Sequence, residues 1–348
     1  MRTFTRISIF LLFLFITSVS WSQVVFVNGA YEKSVSDGTS WDTPYKTIQE
    51  AIDAAKPGDS IWIAKGEYNT PEGSDGYTVD KSLLIFGGFD GSEKSFGKRD
   101  HKVNVTSLIS GDGSVTRYLF KLNQDDLKFE LNGLSISESY SVVLIVGKFN
   151  SIQIKFANCL IYNIGNFFIG HNDNENANLL TSQLLIENCE INDVGNGYGK
   201  FHKIEIHNSE IKNIKSYFFT GFCNGDFIVS NSQLTNITTL TVGFGEQNFI
   251  LENSTINNER YRSSNPLFLG MVSLKIINSQ ILDYEGLLIY SDRNRSVSLQ
   301  NSVFKNINNG SNSVISLNGS VFNDCAIENC TFENCSGYFQ GNFNSFKS

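Results

Sequence analysis

Beyond residue 125, the chain repeats one pattern of apolar and polar positions. Each unit centres on an asparagine with apolar residues four and two positions before it, Cys325 being the exception. A small residue follows the asparagine, an apolar residue stands at the third position after it, and Asn or Asp stands at the fifth. Intervals of 20 to 30 residues separate successive asparagines, so the sequence is a repeat array. The eight asparagines are Asn158, Asn188, Asn208, Asn231, Asn253, Asn278, Asn301 and Asn329.

This pattern predicts strands rather than helices. Apolar residues at every second position are typical of a half-buried strand, and no unit has the i, i+3, i+4 spacing of a helix. A second apolar run, usually ending in a breaker such as Gly170 or Gly221, completes each unit. Because strand, turn and strand recur, the sequence predicts an all-β solenoid whose units stack as coils of a parallel β-helix.

The recurring asparagines predict a ladder. Equivalent side chains of stacked coils lie above one another, so their amides can hydrogen-bond from coil to coil. We therefore expect Asn231→Leu to leave neighbouring amides without partners. The position after the asparagine carries Ser or Cys, and we interpret Cys159, Cys189 and Cys330 as small buried residues. Changing Cys189 to Ser is then expected to cost little.

Residues 23–115 precede the array and are predicted to form an N-terminal cap and the first coils. Thr43-Pro44 offers a helix start, and Ile48, Ala51 and Ile52 share one face of the helix predicted over residues 45–56. Because a solenoid exposes the core of its first coil unless something covers it, we assign this helix as the cap. The array, residues 116–348, has no such helix after its last unit.

We expect the C-terminal phenylalanines to protect that last coil. Phe339, Phe343 and Phe346 would fold over it, or two chains would associate end to end there.

Residues 1–22 are predicted to be a secretory signal peptide. Arg2 and Arg6 precede the apolar residues 7–19, and small residues allow cleavage before Gln23. This apolar stretch is short for a membrane span, and no later segment offers one. The protein is therefore expected to be secreted or at the cell surface.

The repeats resemble the right-handed parallel β-helix proteins of pectate-lyase type, over roughly residues 125–340. That resemblance implies a right-handed coil, and it implies little about activity, because the fold hosts lyases, hydrolases, adhesins and spacers. The N-terminal region is similar to secreted bacterial surface proteins of the polymorphic outer-membrane type. The segments that carry this second resemblance are residues 38–41, 45–52, 58–68, 86–89, 99–100 and 109–112.

The net charge, the cysteine spacing and the absence of known motifs disfavour several classes of function. The net charge of −8 disfavours nucleic acid and anionic membranes as partners. Cys325, Cys330 and Cys335 are five residues apart, which matches neither a zinc site nor a redox pair. The chain has no nucleophile elbow, metalloprotease, phosphate-loop or dinucleotide motif. We predict no cofactor and no metal.

One unit has three ionisable residues at its outward positions: Lys203, Glu205 and His207. Adjoining units add Glu187 and Asp226. Such a group could perform acid–base chemistry on a sugar acid, or it could be a set of ion pairs on a solvated sheet. By this count three acidic groups face one lysine, which is unfavourable for an anionic polysaccharide.

The lyase resemblance implies Ca²⁺ held by outward acidic residues, with Arg or Lys as the base. At the outward positions five, three and one before the asparagine, no column carries acidic residues in two consecutive units, so a site of that kind is not predicted there.

A second candidate for glycan contact is the loop segment Arg260-Tyr261-Arg262, where cations flank an aromatic ring.

The sequence favours a non-enzymatic β-helix that contacts a glycan, mediates adhesion or serves as a structural spacer. The alternative is a polysaccharide lyase or glycoside hydrolase acting along one face of the solenoid.

Overall fold

The computed structural model describes residues 22–110, 118–146, 151–170, 181–198, 201–221, 225–243, 247–258, 266–269, 272–291, 296–308, 315–322, 324–336, 339–343 and 346–347. The predicted signal segment therefore lies outside the described residues, apart from Ser22.

The described chain is almost entirely β-structure. In chain order its first strands are β1 (Val24–Val27), β2 (Ser60–Ala64), β3 (Gly66–Asn69), β4 (Tyr77–Val79), β5 (Leu83–Phe89), β6 (Thr106–Ile109), β7 (Tyr118–Leu122), β8 (Leu127–Asn132), β9 (Ser135–Ile145), β10 (Ile152–Ala157), β11 (Leu160–Gly170), β12 (Gln183–Glu187), β13 (Glu190–Tyr198), β14 (Lys203–His207) and β15 (Glu210–Gly221). The others are β16 (Asp226–Ser230), β17 (Gln233–Gly243), β18 (Asn248–Glu252), β19 (Thr255–Asn257), β20 (Phe268–Leu269), β21 (Ser273–Ile277), β22 (Gln280–Leu282), β23 (Ile289–Ser291), β24 (Ser296–Gln300), β25 (Val303–Lys305), β26 (Ile315–Phe322), β27 (Asp324–Glu328), β28 (Thr331–Glu333), β29 (Phe339–Phe343) and β30 (Phe346–Lys347).

All strand pairings between successive coils are parallel, which makes the described chain a parallel β-helix. One strand of each coil joins sheet 1, whose order is β1-β2-β5-β8-β10-β12-β14-β16-β18-β21-β24-β27-β30. The remaining strands form the other sides of each coil. Long strands such as β9 and β17 bend across a corner, because each pairs with two separate short strands of a neighbouring coil. Parallel crossovers of this kind are almost always right-handed, in agreement with the predicted coil.

Left-handed backbone at the array asparagines makes the corners. All eight asparagines that define the repeat have φ between 49° and 54°, and most of the Asn or Asp residues five positions later have φ near 54°. Asn and Asp tolerate this conformation better than other residues with a side chain. In the coil where Gly133 replaces the asparagine, its φ is 70°. Asparagine therefore recurs at this position because it tolerates the left-handed backbone conformation that the corner requires.

The predicted asparagine ladder is only partly correct. Some amides do stack, as between Asn301 Nδ2 and Asn278 Oδ1 at 3.2 Å and between Asn329 Nδ2 and Asn301 Oδ1 at 3.2 Å. These side chains are exposed, however, as is Asn231. The prediction that Asn231→Leu leaves buried amides without hydrogen-bond partners is wrong, because the side chain of Asn231 points towards solvent at the corner.

The residue that follows each repeat asparagine forms the buried ladder of hydrogen bonds. The backbone N–H of Ser232 donates to Ser254 Oγ at 3.1 Å, and that of Ser254 donates to Ser279 Oγ at 3.2 Å. Each hydroxyl donates in turn to the carbonyl two residues earlier, as Ser254 does to Glu252 at 2.7 Å. Cys159 and Cys189 occupy the same column, are buried and are free thiols.

For Asn231 we now expect the backbone to decide the cost of substitution. Leucine in the left-handed region costs about 1 kcal/mol more than a tolerant residue, whereas Asn231→Gly should be nearly neutral. Chemical denaturation of both variants measures the difference. If glycine is as damaging as leucine, the amide side chain matters more than the conformation.

Helix α1 (Ile48–Ala54) starts three residues later than predicted, with Thr47 as its N-cap in a capping box with Glu50. Its buried residues Ile48, Ala51 and Ile52 are those predicted, and the helix packs on β1, β2 and β4. A 3₁₀ turn at Phe96–Lys98 is the other helical segment among the described residues. That α1 caps the first coil remains a prediction.

At the C-terminal end, β29 pairs with β26 and β30 pairs with β27, both in parallel register. The backbone of Phe339 and Phe346 thus extends the stack by further strands. This pairing differs from the expectation that the segment folds across the end of the last coil. End-to-end association of two chains remains a prediction.

Candidate functional site on the outer face of sheet 1

Strand β14 presents the predicted residues outward. Lys203, Glu205 and His207 are partly exposed, while Ile204 and Ile206 between them are buried in the core. The period of two in the sequence produces this arrangement directly, because successive side chains of a strand point to opposite faces.

The three side chains form a connected cluster. Lys203 Nζ lies 3.0 Å from Glu205 Oε1, and His207 Nε2 lies 3.5 Å from the same oxygen. His207 Nδ1 is 2.7 Å from Ser230 Oγ on the next coil. Glu205 therefore binds a lysine and faces an imidazole. The opposite ring nitrogen meets Ser230, a residue that the sequence analysis did not select.

The predicted neighbours stack in register, but each has a different partner. Glu187 pairs in register with His207, and its Oε2 lies 3.1 Å from Lys155 Nζ on the preceding coil. Asp226 occupies the column of Lys203, and its Oδ1 accepts a hydrogen bond from Asn248 at 3.0 Å. Lys155 contributes a second cation beside the three acids, so this surface is less negative than the count of three acids against one lysine indicated.

A shallow groove of about 240 Å³ crosses the outer face of sheet 1 from β5 to β14. We call it the sheet-1 groove. Glu205 is the member of the predicted cluster that lines it; Lys203 and His207 do not. Lysine, glutamate and glutamine side chains dominate the remaining polar lining: Lys128, Glu130, Gln153, Lys155 and Gln183.

The polar residues of this groove form columns across successive coils. Gln153 and Gln183 pair in register and continue into Lys203, and Lys155 pairs with Leu185, which pairs with Glu205. These residues stand at outward positions of the repeat, so the pattern contained them.

Arg260, Tyr261 and Arg262 lie outside the described residues. Within the described ranges, no three His, Cys, Asp or Glu side chains come together as a metal site would require. No described helix has the length and apolar character of a membrane span.

No family model matches this sequence, and no curated protein matches it. Solved structures do share its fold. A pectate lyase, Pel9A, is 13% identical over 88% of this chain and 80% of its own, with a TM-score of 0.59. An alginate lyase from Paenibacillus sp. str. FPU-7 is 12% identical over 93% of this chain and 99% of its own, with a TM-score of 0.54. The chain is thus a parallel β-helix of the pectate-lyase-like fold, and this likeness concerns the fold alone.

Proposed function

We propose that this protein is a non-enzymatic, glycan-contacting β-helix that binds along the sheet-1 groove. The observation that supports this proposal most is the mixed polar lining of the groove, in which ammonium, carboxylate and amide groups stand side by side. Two lysines, Lys128 and Lys155, and two glutamates, Glu130 and Glu205, line the groove, so its formal charges balance. Sugar hydroxyls both donate and accept hydrogen bonds, and such a lining suits them better than it suits a polyanion.

The repeat also suits an extended polymer. Strands of a sheet lie about 4.8 Å apart, so a chain running along the solenoid meets a new row of side chains at each coil. Gln153 and Gln183 offer the same amide group on successive coils.

The proposal also includes export of the protein from the cell. Residues 1–22 act as a cleaved signal peptide, and the mature protein is secreted or held at the cell surface, where glycans are its partners. Residues 23–115 form the capped N-terminal part and residues 116–348 form the binding array. Arg260, Tyr261 and Arg262 would add contacts from a loop, and the C-terminal coil would allow end-to-end self-association.

One observation favours the alternative, a polysaccharide lyase or hydrolase. The chain of contacts from Glu205 through His207 to Ser230 places an acid, an imidazole and a hydroxyl on one surface. In that case Lys203 would neutralise a uronate carboxylate, and His207 or Glu205 would take the proton.

The double variant Lys203→Ala/His207→Ala separates the two functions. We expect unchanged folding and nearly unchanged glycan affinity, because neither side chain lines the groove, whereas Gln153→Ala/Gln183→Ala should weaken binding. Calorimetric titration with neutral and acidic polysaccharides measures affinity, and ultraviolet absorbance of unsaturated products measures cleavage.

Lys212→Ala is the matched control, since Lys212 forms a comparable surface pair with Glu210 at 2.7 Å. An enzyme would lose about 10²–10⁴-fold in turnover on removal of an acid–base group. Depolymerisation by the native protein that disappears in the double variant, but persists in Lys212→Ala, would establish the enzymatic alternative.

A further inference from the structure

Aromatic side chains gather on the outer face of sheet 1 at its first strands. Phe26 of β1, Trp62 of β2 and Phe86 of β5 occupy one outward column in register. Trp41 packs edge-on against Phe26, with ring centroids 4.8 Å apart. Trp62 stacks on Phe89 at 4.6 Å. Aromatic rings on the outward side of a sheet are not needed for the solenoid core, which lies on the other side.

Three of these rings, Phe26, Trp41 and Trp62, line an open cavity of about 610 Å³, which we call the aromatic pocket. Its size falls within the range of about 300–1,000 Å³ that is usual for small-molecule sites. Phe26 and Trp41 are half-buried, so part of each ring faces the opening. The remaining lining comes from β1 and from two turns: Val24, Ser40, Asp42, Gly91, Ser92, Glu93 and Lys94.

The walls of the pocket are held in place by their own hydrogen bonds. The indole N–H of Trp41 donates to the carbonyl of Glu93 at 3.0 Å, which joins the two turns. The Glu93 carboxylate accepts from the backbone N–H groups of Asp90, Gly91 and Ser92 at 2.6 to 3.2 Å. Neither Trp41 nor Glu93 needs a ligand to complete its bonding, and the pocket is preformed.

Two polar groups at the rim remain available. Asp42 and Lys94 are exposed, and among the described residues their charged groups have neither an ion-pair nor a hydrogen-bond partner. Together with Glu93, these two residues are the charged members of the lining, which therefore holds two carboxylates and one ammonium beside the aromatic faces. The apolar C–H face of a sugar ring packs against an aromatic face, while its hydroxyls reach donors and acceptors at the edge.

We propose that the aromatic pocket is a second glycan site, which binds the end of a neutral oligosaccharide by stacking a sugar ring on Trp41 and Phe26. This inference rests on the proposed function for its ligand class, and it adds a separate site at the N-terminal end of the same face. The net charge of −8 and the excess of one carboxylate in the pocket lining favour a neutral sugar over a uronate.

Tryptophan fluorescence tests the proposal directly, because two of the three tryptophans of the chain, Trp41 and Trp62, line the pocket. The full chain is titrated with cellohexaose, mannohexaose and xylohexaose, and with hexagalacturonate as the acidic probe. We expect a saturable change with at least one neutral sugar. Trp41→Ala should weaken that affinity about tenfold, the value of one lost aromatic contact, and Trp41→Phe should retain most of it.

The matched control is Tyr162→Ala, which removes an exposed aromatic residue that lies outside the pocket lining, and it should leave the titration unchanged. If Trp41→Ala fails to fold, Asp42→Ala/Lys94→Ala replaces it. Both side chains are exposed, so we expect an unchanged melting curve and weaker binding.

The outcomes separate this inference from the proposed function. Calorimetric binding that depends on Gln153 and Gln183, without a saturable fluorescence change, would make the aromatic cluster a packing feature only and leave the groove proposal intact. Tighter binding of hexagalacturonate, or full affinity in both pocket variants, would also overturn the inference. Neutral-sugar binding that is lost in Trp41→Ala but kept in the groove variants would support the pocket and contradict the groove.

Discussion

Replacing Arg99 with alanine is expected to destabilise the N-terminal coils by about 3 kcal/mol, the upper value for hydrogen bonds made by a charged group. The half-buried guanidinium donates to the carbonyl of Gly87 at 3.0 Å, to the carbonyl of Asn132 at 3.3 Å and to Asn132 Oδ1 at 2.6 Å. It also lies 4.4 Å from the ring centroid of Phe96 and 5.4 Å from that of Phe86. Its loss removes a donor from acceptors on two coils, although Asn132 Oδ1 keeps a hydrogen bond from Asn158 Nδ2 at 3.0 Å.

Lysine at this position should recover only part of the stability, because it cannot supply a planar fork of donors. Lys98→Ala, an exposed neighbour in the same turn, is the control. Urea denaturation gives the free energy of unfolding, and hydrogen exchange locates the loss in β5 and β8. Equal stability of Arg99→Ala and Lys98→Ala would show that the hydrogen bonds of Arg99 contribute nothing to the free energy of unfolding.

The second large effect is expected in the serine column. Ser254→Ala removes the acceptor of the Ser232 N–H in the buried interior. An unsatisfied buried donor costs about 1–3 kcal/mol. Because every coil contacts only its neighbours, the loss should be local to the coils around β16 and β18. Thermal melting together with hydrogen exchange measures both its size and its place.

Cysteine is the informative control in this column. Ser254→Cys keeps a small side chain with weak acceptor capacity, and Cys189→Ser installs the residue used by neighbouring coils, so both should cost little. If Ser254→Ala is as stable as Ser254→Cys, the column contributes through its size and not through its hydrogen bonds.

The repeat alone was enough to predict the architecture. Alternation of apolar residues is a local property of a strand, and Asn or Asp at fixed positions marks corners that need a left-handed backbone. For these reasons β14, with Ile204 and Ile206 inward and Glu205 outward, could be predicted from its own five residues. Helix α1 followed from its apolar face in the same way, although its first residue was placed too early.

Which side chain carries the buried hydrogen bonds at a corner could not be predicted from the pattern. An asparagine and the serine after it recur with the same period, so both fit a ladder equally well in sequence. Only the path of the backbone through the corner turns Asn253 outward and Ser254 inward. The small residue after the asparagine was interpreted as buried, but the buried hydrogen bonds were expected from the asparagine and not from that residue.

Contacts between coils depend on the tertiary structure for a further reason. The repeat asparagines align the coils in sequence, but they do not show that Lys155 pairs with Glu187 while Glu205 pairs with Lys203. The aromatic pocket likewise joins Phe26, Trp41 and Trp62, which are distant in sequence and meet only when turns pack onto sheet 1. Local patterns determine strands because they act within one strand, whereas a site made of several coils exists only after their register is set.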